Sequence, residues 1–466
     1  MVGVDVRETT DQLAHVAAAT RRDLGGSARI DRDPHGRASS VKMLAPGNLR
    51  SSHRYDRTAI FDGKSERLID EETRPPSSRR AAGYVGRVPD SVSKRPRVVL
   101  VRGHQANPWE LRPWEEPAIA DRFDVTLCRS RSDWFDTRSL ALASRSVWTL
   151  RDLLPPGRLG DVAVRVPGDR YLGLRAALRG AAIVHAQELG YWYSMQAAKL
   201  KRRLNFRLVL TVWETIPFLG SYRNVRTRSY RTTTLAGTDL FLAATERART
   251  SLLLEGVPPE SIRVSAPGVA SDRFTAPAER PPGSVPMILS PGRLVWEKGH
   301  QDVLRALALL RGGLDAEPPL NARALIVGRG PEQERLRTYA RELRVEDAVE
   351  FRGFIRHEEM PLAYQSAACV VLASLPTWSW EEQFGMVLAE AMAAGVPIVA
   401  STSGAIPEVA GSRARYFDAG DWIGLAETLR EVLSEGTRPR APSGAQYSTR
   451  AAAVRIAACY EELLAS

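Results

Sequence analysis

The chain is poor in the residues that build metal centres and disulfide frameworks. Its 466 residues include three cysteines, Cys128, Cys369 and Cys459, an odd number with no CxxC pair. A thiolate zinc site and a disulfide scaffold are therefore not expected, and a reducing compartment is. Seven histidines are scattered without HExxH or HxH spacing, so no dedicated metal site is expected either. No apolar run approaches the ~18–20 residues that span a bilayer. The first residues lack the basic-then-apolar pattern of a leader peptide. The expectation is a cytoplasmic protein, with at most peripheral contact at the inner face of a membrane.

What is present is length and positive charge. A chain of 466 residues calls for two or three domains. The net charge of +11 favours an acidic or phosphorylated partner, and an arginine-rich proteome would give the same excess. The charge is dispersed and no nucleic-acid motif accompanies it, so nucleic acid is not the expected partner.

Residues 1–95 differ from the rest. They carry 18 Lys+Arg and 13 Asp+Glu, 18 − 13 = +5, and few apolar runs. The segment Thr73-Arg74-Pro75-Pro76-Ser77-Ser78-Arg79-Arg80 reads as linker. Such a composition buries too little apolar surface to offset chain entropy, which predicts disorder, apart from a short helix near 8–22.

Short apolar strands then alternate with helical stretches. Strands are expected at 97–102, 125–127, 182–185, 207–211 and 240–244, with a helix over 190–203. After Pro281-Pro282-Gly283 the pattern restarts. Strands are expected at 287–290, 323–327, 349–351, 369–372 and 397–400. Helices are expected at 299–311, 331–343, 359–366, 385–394, 421–434 and 449–464. Alternation of this kind predicts an α/β protein with two parallel sheets. Ligands in such sheets bind beyond the carboxyl ends of the strands.

The segment from Glu381 to Val399 is the most informative. Glu382 and Glu390 stand eight positions apart in the chain, with Phe384-Gly385 between them able to open a helix. Gly385 can expose helix-terminal amides to a diphosphate. Glu390 lies ~7–8 Å further along the axis at 1.5 Å per residue, placed to accept ribose hydroxyls. Glu382, ahead of the helix, can accept from sugar hydroxyls. Upstream, Arg293 and Lys298 follow a strand and precede a helix, where both can neutralise phosphate. Gly328-Arg329-Gly330 follows another strand and gives a tight turn or a close backbone approach to a ligand. The basic stretches Lys199–Arg203 and Arg223–Arg228 fit either a solvated helix face or an anionic lipid.

Together, Arg293, Lys298, Gly328–Gly330, Glu382, Glu390 and the Ala-Gly-Val-Pro-Ile-Val run resemble the retaining glycosyltransferases of the GT-B fold, family 4 (glycosyl transferases group 1). The resemblance covers about residues 97–466. It implies two Rossmann-like domains facing a cleft: an acceptor domain over 96–280 and a nucleotide-sugar domain over 281–444. It further implies that residues 445–466 form a helix packing back on the first domain. By resemblance, Arg293, Lys298 and Glu382 are the catalytic set. Arg293 and Lys298 balance charge on the departing diphosphate, and Glu382 orients the donor sugar. Glu390, Gly385, Phe384, Gly328 and Gly330 bind the donor. Retention on one face needs no protein nucleophile, no tightly bound cofactor and no Mg²⁺.

The first domain departs from the family pattern. Gln187 stands where a second histidine is common, and the adjacent Glu188 is the substitute to consider. Arg102-Gly103-His104-Gln105 replaces a Gly-Gly loop. The cleft and acceptor candidates are His104, His185, Glu188, Trp213 and Glu214, with a core tryptophan beside a surface acid as the plain alternative for Trp213 and Glu214. The expected partners are a nucleotide sugar, a glycan, lipid-linked or small-molecule acceptor, and an anionic membrane surface. The alternatives are a sugar-nucleotide epimerase of the same fold and a catalytically silent nucleotide-sugar-binding subunit.

Overall fold

The computed structural model describes residues 95–133, 135–154, 158–165, 168–219, 225–274, 283–313, 318–435 and 441–466. The expected extension and linker before residue 95 lie outside the described residues. The rest falls within one compact unit.

The first domain is built on β1 (Arg97–Val101), β2 (Asp124–Ser130), β3 (Ala143–Val147), β4 (Ile183–Gln187), β5 (Arg207–Val212), β6 (Leu240–Ala243) and β7 (Ile262–Val264). They form one sheet in the order β3-β2-β1-β4-β5-β6-β7, and every pairing is parallel. Its helices longer than four residues, among the described residues, are α1 (Arg158–Arg165), α2 (Leu174–Leu178), α3 (Trp192–Leu204), α4 (Val225–Gly237) and α5 (Glu246–Leu254). Val98 to Val101, Leu208 to Leu210 and Ile183 are fully buried. Covering both faces of the sheet is what lets its strands read as continuous apolar runs. β3 was not expected. Its Ala-Ser-Arg-Ser stretch is exposed at the sheet edge and shows no apolar run.

The second domain repeats the plan with β8 (Met287–Pro291), β9 (Arg323–Val327), β10 (Val349–Arg352), β11 (Cys369–Leu372), β12 (Ile398–Ser401) and β13 (Ala414–Phe417). The order is β10-β9-β8-β11-β12-β13, again all parallel. Its helices are α6 (His300–Gly312), α7 (Gln333–Glu342), α8 (Met360–Ser366), α9 (Met386–Ala394), α10 (Ile406–Ala410) and α11 (Trp422–Ser434). Cys369 is fully buried in this core.

The chain passes between the domains twice, side by side. Val269 N–H donates to Tyr447 O at 2.6 Å, and Thr449 N–H donates to Val269 O at 3.0 Å. A Cβ on Gly268 would stand 2.9 Å from Thr449 Cα, so this crossing requires glycine. The returning segment leads into α12 (Thr449–Ala465), capped by Ser448 Oγ, which accepts from Ala451 N–H. Its buried face, Ala453, Ile456, Ala457 and Tyr460, joins Leu111, Trp114, Ile119 and Phe123 in the core of the first domain.

Candidate active site at the cleft between the two sheets

Each sheet reverses its strand order once, between β1 and β4 in the first and between β8 and β11 in the second. At such a reversal neighbouring loops leave in opposite directions and open a crevice. The loops at the strand ends of one domain meet those of the other. Trp213, after β5, packs edge-on against Phe384, with ring centres 6.2 Å apart. Trp109, after β1, lies 4.1 Å from His357, after β10.

On the second-domain side, Lys298 Nζ donates to Glu382 Oε2 at 2.7 Å, and Ser374 Oγ donates to the same oxygen at 2.6 Å. Lys298 also lies 4.8 Å from the centre of the Trp380 ring. Lys298 and Glu382, read separately from sequence, are one buried ion pair. Arg293 stands apart, half-exposed, its guanidinium 4.0 Å from Glu297. Its loop is held by His300, whose Nε2 lies 3.1 Å from Arg293 O and whose Nδ1 lies 2.9 Å from Ser290 Oγ. Burial pushes the His300 imidazole down to about 4, so it is neutral near pH 7. Sequence reasoning passed over His300, since it resembles any helix-start polar residue.

Gly385 begins α9 in the left-handed region, φ 77°, and no side chain caps the helix. Phe384 beside it is buried, with its ring edge-on to those of Trp213 and Tyr447. Glu390, inside α9, accepts from Tyr364 Oη at 2.6 Å, and its Oε1 lies 3.9 Å from His357 Nε2. Burial raises its carboxyl to about 7. The Arg273 guanidinium lies 4.3 Å from the centre of the Trp109 ring. The group of Trp109, Arg273, His357 and Tyr364 around Glu390 was not expected. Its members are far apart in the chain and carry no common motif.

Gly328 and Gly330 are needed where two loops touch. A Cβ on Gly328 would stand 1.8 Å from Gly292 O, and one on Gly330 would stand 2.2 Å from Leu294 O. The room left by the missing side chains is taken by the loop that carries Arg293, so these glycines serve loop-against-loop packing.

On the first-domain side, Glu188 follows β4 with φ 61°, a conformation costly for a residue with a side chain and common at functional sites. Its Oε1 accepts from Trp213 N–H at 2.7 Å. Burial, and then the nearby Glu214, raise its carboxyl to about 8. Glu214 is buried, accepts from Ile216 N–H at 2.8 Å, and is raised by burial as well. Glu188, Trp213 and Glu214 are thus one cluster facing Phe384. His104, after β1, pairs with Asp169. Burial alone would lower its imidazole, but the Asp169 carboxylate outweighs it and raises it.

His185 is not at the cleft. It is fully buried, with Nδ1 2.5 Å from Tyr460 Oη and Nε2 2.7 Å from Thr211 Oγ1. Trp114 Nε1 donates to the same Tyr460 oxygen at 2.9 Å. Its pattern at a strand end resembled a ligand, but a strand side chain can equally turn inward. Lys199–Arg203 forms the end of α3, where positive charge offsets the helix dipole, and Lys201 pairs with Asp239 at 2.7 Å.

Two further contacts join the domains. Arg247 of α5 makes a forked pair with Glu381 at 2.5 and 2.7 Å. Glu408 of α10 accepts from the Glu246 and Arg247 amides at 2.6 and 3.1 Å, at the start of α5. Among the described residues no cluster of three or more His, Cys, Asp or Glu could hold a metal ion.

Comparison with known proteins falls on this geometry. Residues 272–449, which carry Arg293, Lys298, Glu382 and Glu390, match the family described as Glycosyl transferases group 1. The D-inositol 3-phosphate glycosyltransferase of Corynebacterium jeikeium is 34% identical over 230 residues, 44% of this chain and 52% of that protein. The chain spans about half the length of the curated relatives it matches. Among solved structures, sucrose-phosphate synthase from Thermosynechococcus elongatus superposes with a TM-score of 0.62 at 20% identity, covering 80% of this chain and 100% of that one. Anabaena HepE in complex with UDP and glucose gives 0.60 at 19% identity, covering 79% and 99%. The fold is GT-B, two Rossmann-like domains facing a cleft.

Proposed function

We propose that the chain is a retaining glycosyltransferase of family 4, moving a sugar from a nucleoside-diphosphate sugar to a hydroxyl acceptor. The observation that carries this reading is the second-domain arrangement. An ion pair, Lys298–Glu382, stands before the uncapped start of α9, and a buried carboxyl, Glu390, stands within that helix. A diphosphate fits the helix start and Lys298, a ribose fits Glu390, and a sugar fits Glu382.

Arg293 and Lys298 stabilise charge as it grows on the leaving diphosphate. Glu382 has one oxygen committed to Lys298 and Ser374. In this reading it orients the ammonium and the donor sugar, and no nucleophilic role is assigned to it. The leaving phosphate assists deprotonation of the acceptor on the same face. Glu188 and Glu214 receive acceptor hydroxyls from the first domain, with Trp213 closing the pocket against Phe384. No Mg²⁺ is required in this scheme.

A thermal-shift panel of nucleotide sugars with product analysis tests the reading. A donor at a hundred times its Kd should stabilise the protein by about 2.7 kcal/mol. Glu390→Ala should abolish the shift. If no nucleotide sugar shifts the wild-type protein, the reading fails. Free epimerised sugar nucleotide would replace transfer with epimerisation.

A further inference from the structure

We infer that the β3 end of the first domain docks on an anionic lipid surface. Trp148, Leu153, Leu159 and Leu172 are 45%, 60%, 84% and 52% exposed. They lie on adjoining segments of the chain and its sheet edge. Leu172 N–H donates to Trp148 O at 2.8 Å. Leu153 ends the turn Arg151–Leu153, which packs against α1, and α1 carries Leu159. Isolated exposed leucines are ordinary, but a grouped set marks an interaction surface.

The charge around them identifies the partner. Residues 129–179 hold ten arginines and five aspartates and neither lysine nor glutamate, 10 − 5 = +5. Three of the aspartates are spent on backbone amides. Asp133 accepts from Ala106 N–H, Asp152 from Thr149 N–H and Asp169 from Arg151 N–H. Arg131, Arg138, Arg145, Arg170, Arg175 and Arg179 are exposed. Arg131 lies 4.1 Å from the Trp148 ring centre, and Arg170 is exposed beside Leu172. Indole and leucine side chains flanked by arginine suit the boundary between acyl chains and anionic headgroups. A nucleic acid would leave the leucines in water. Residues 1–95 carry +5 and a second copy +11, so both have the wrong sign to cover this face.

Docking here stands apart from the transferase reading, and a vesicle assay needs no turnover. The patch continues into the cleft through Asp169, which holds both Arg151 and His104. If the transferase reading holds, a membrane-borne acceptor would enter on this side.

Sedimentation of the full chain with phosphatidylcholine vesicles, with and without phosphatidylglycerol, tests the inference. The protein should partition onto the anionic vesicles at least ~tenfold better than onto the neutral ones, and salt should release it. Leu159→Glu with Leu172→Glu should lower partitioning by ~tenfold. Both residues are exposed, so an unchanged melting temperature verifies that the variant is folded. Equal binding to both vesicle types overturns the inference, as does undiminished binding of the folded double variant. A wild-type dimer that fails to bind vesicles and that the double variant dissociates would make the patch a self-contact instead.

Discussion

The two domains share one topology but hold their cleft residues in different ways. In the second domain the groups are held by backbone: glycines at 328 and 330 let loops touch, and His300 pins the Arg293 loop. Its central carboxylate, Glu382, is matched by a cation. In the first domain Glu188 sits in a costly backbone conformation beside another acid, with its carboxyl raised to about 8. Around Lys298 and Glu382 charge is matched by charge, whereas at Glu188, as at the buried Glu390, the charged form is disfavoured.

The sharpest break in this contrast comes from Lys298→Ala. It removes the cation and leaves Glu382 buried without it. On the proposed transferase reading, turnover should fall by ~10²–10³-fold in kcat, in line with losing one electrostatic stabiliser. Single-turnover kinetics with saturating donor would measure it. A loss confined to KM would mean that Lys298 only binds.

Next, the same chemical change should act with opposite sign in the two halves. The Glu188 proton is held more tightly in the folded protein than in the unfolded chain. Folded stability is therefore lost as pH rises from the ordinary carboxyl range, about 4.5, through about 8. Glu188→Gln keeps an oxygen for Trp213 N–H and removes the ionisation. Its melting temperature should match wild type near pH 5 and exceed it by a few degrees at pH 8. Glu382→Gln should instead destabilise at pH 8, because Lys298 loses its counter-charge. Melting curves across pH decide; two shifts of the same sign would erase the distinction.

The smallest effect is expected at the seam. Arg247 is half-exposed against Glu381, so Arg247→Ala should cost no more than about 1 kcal/mol. If this pair helps to close the cleft, donor KM should rise a few-fold while the melting temperature barely moves.

Much of the second domain was legible in sequence because its site is written in contiguous segments. Arg293 and Lys298 lie in one loop, and Glu382 to Glu390 lie in one loop-to-helix segment. Buried strands such as Cys369–Leu372 announced themselves as apolar runs, whereas the exposed edge strand Ala143–Val147 did not. The Glu390 environment and the Arg247–Glu381 pair were illegible for a physical reason. The Arg247–Glu381 pair and the Trp109–His357 contact exist only once one domain docks on the other, and Tyr364 and Glu390 meet only through the fold of the second domain. His185 shows the opposite failure. A histidine at a strand end has one of two faces to choose, and the Tyr460 hydroxyl that settles the choice lies 275 positions away.

That same helix has a consequence for biosynthesis. α12 follows the entire second domain in the chain, yet it supplies Ile456 and Tyr460 to the first domain's core. The half made first on the ribosome therefore cannot complete its interior until the half made last has been produced. Until then Leu111, Trp114 and Phe123 lack a cover, and chaperones would find them there.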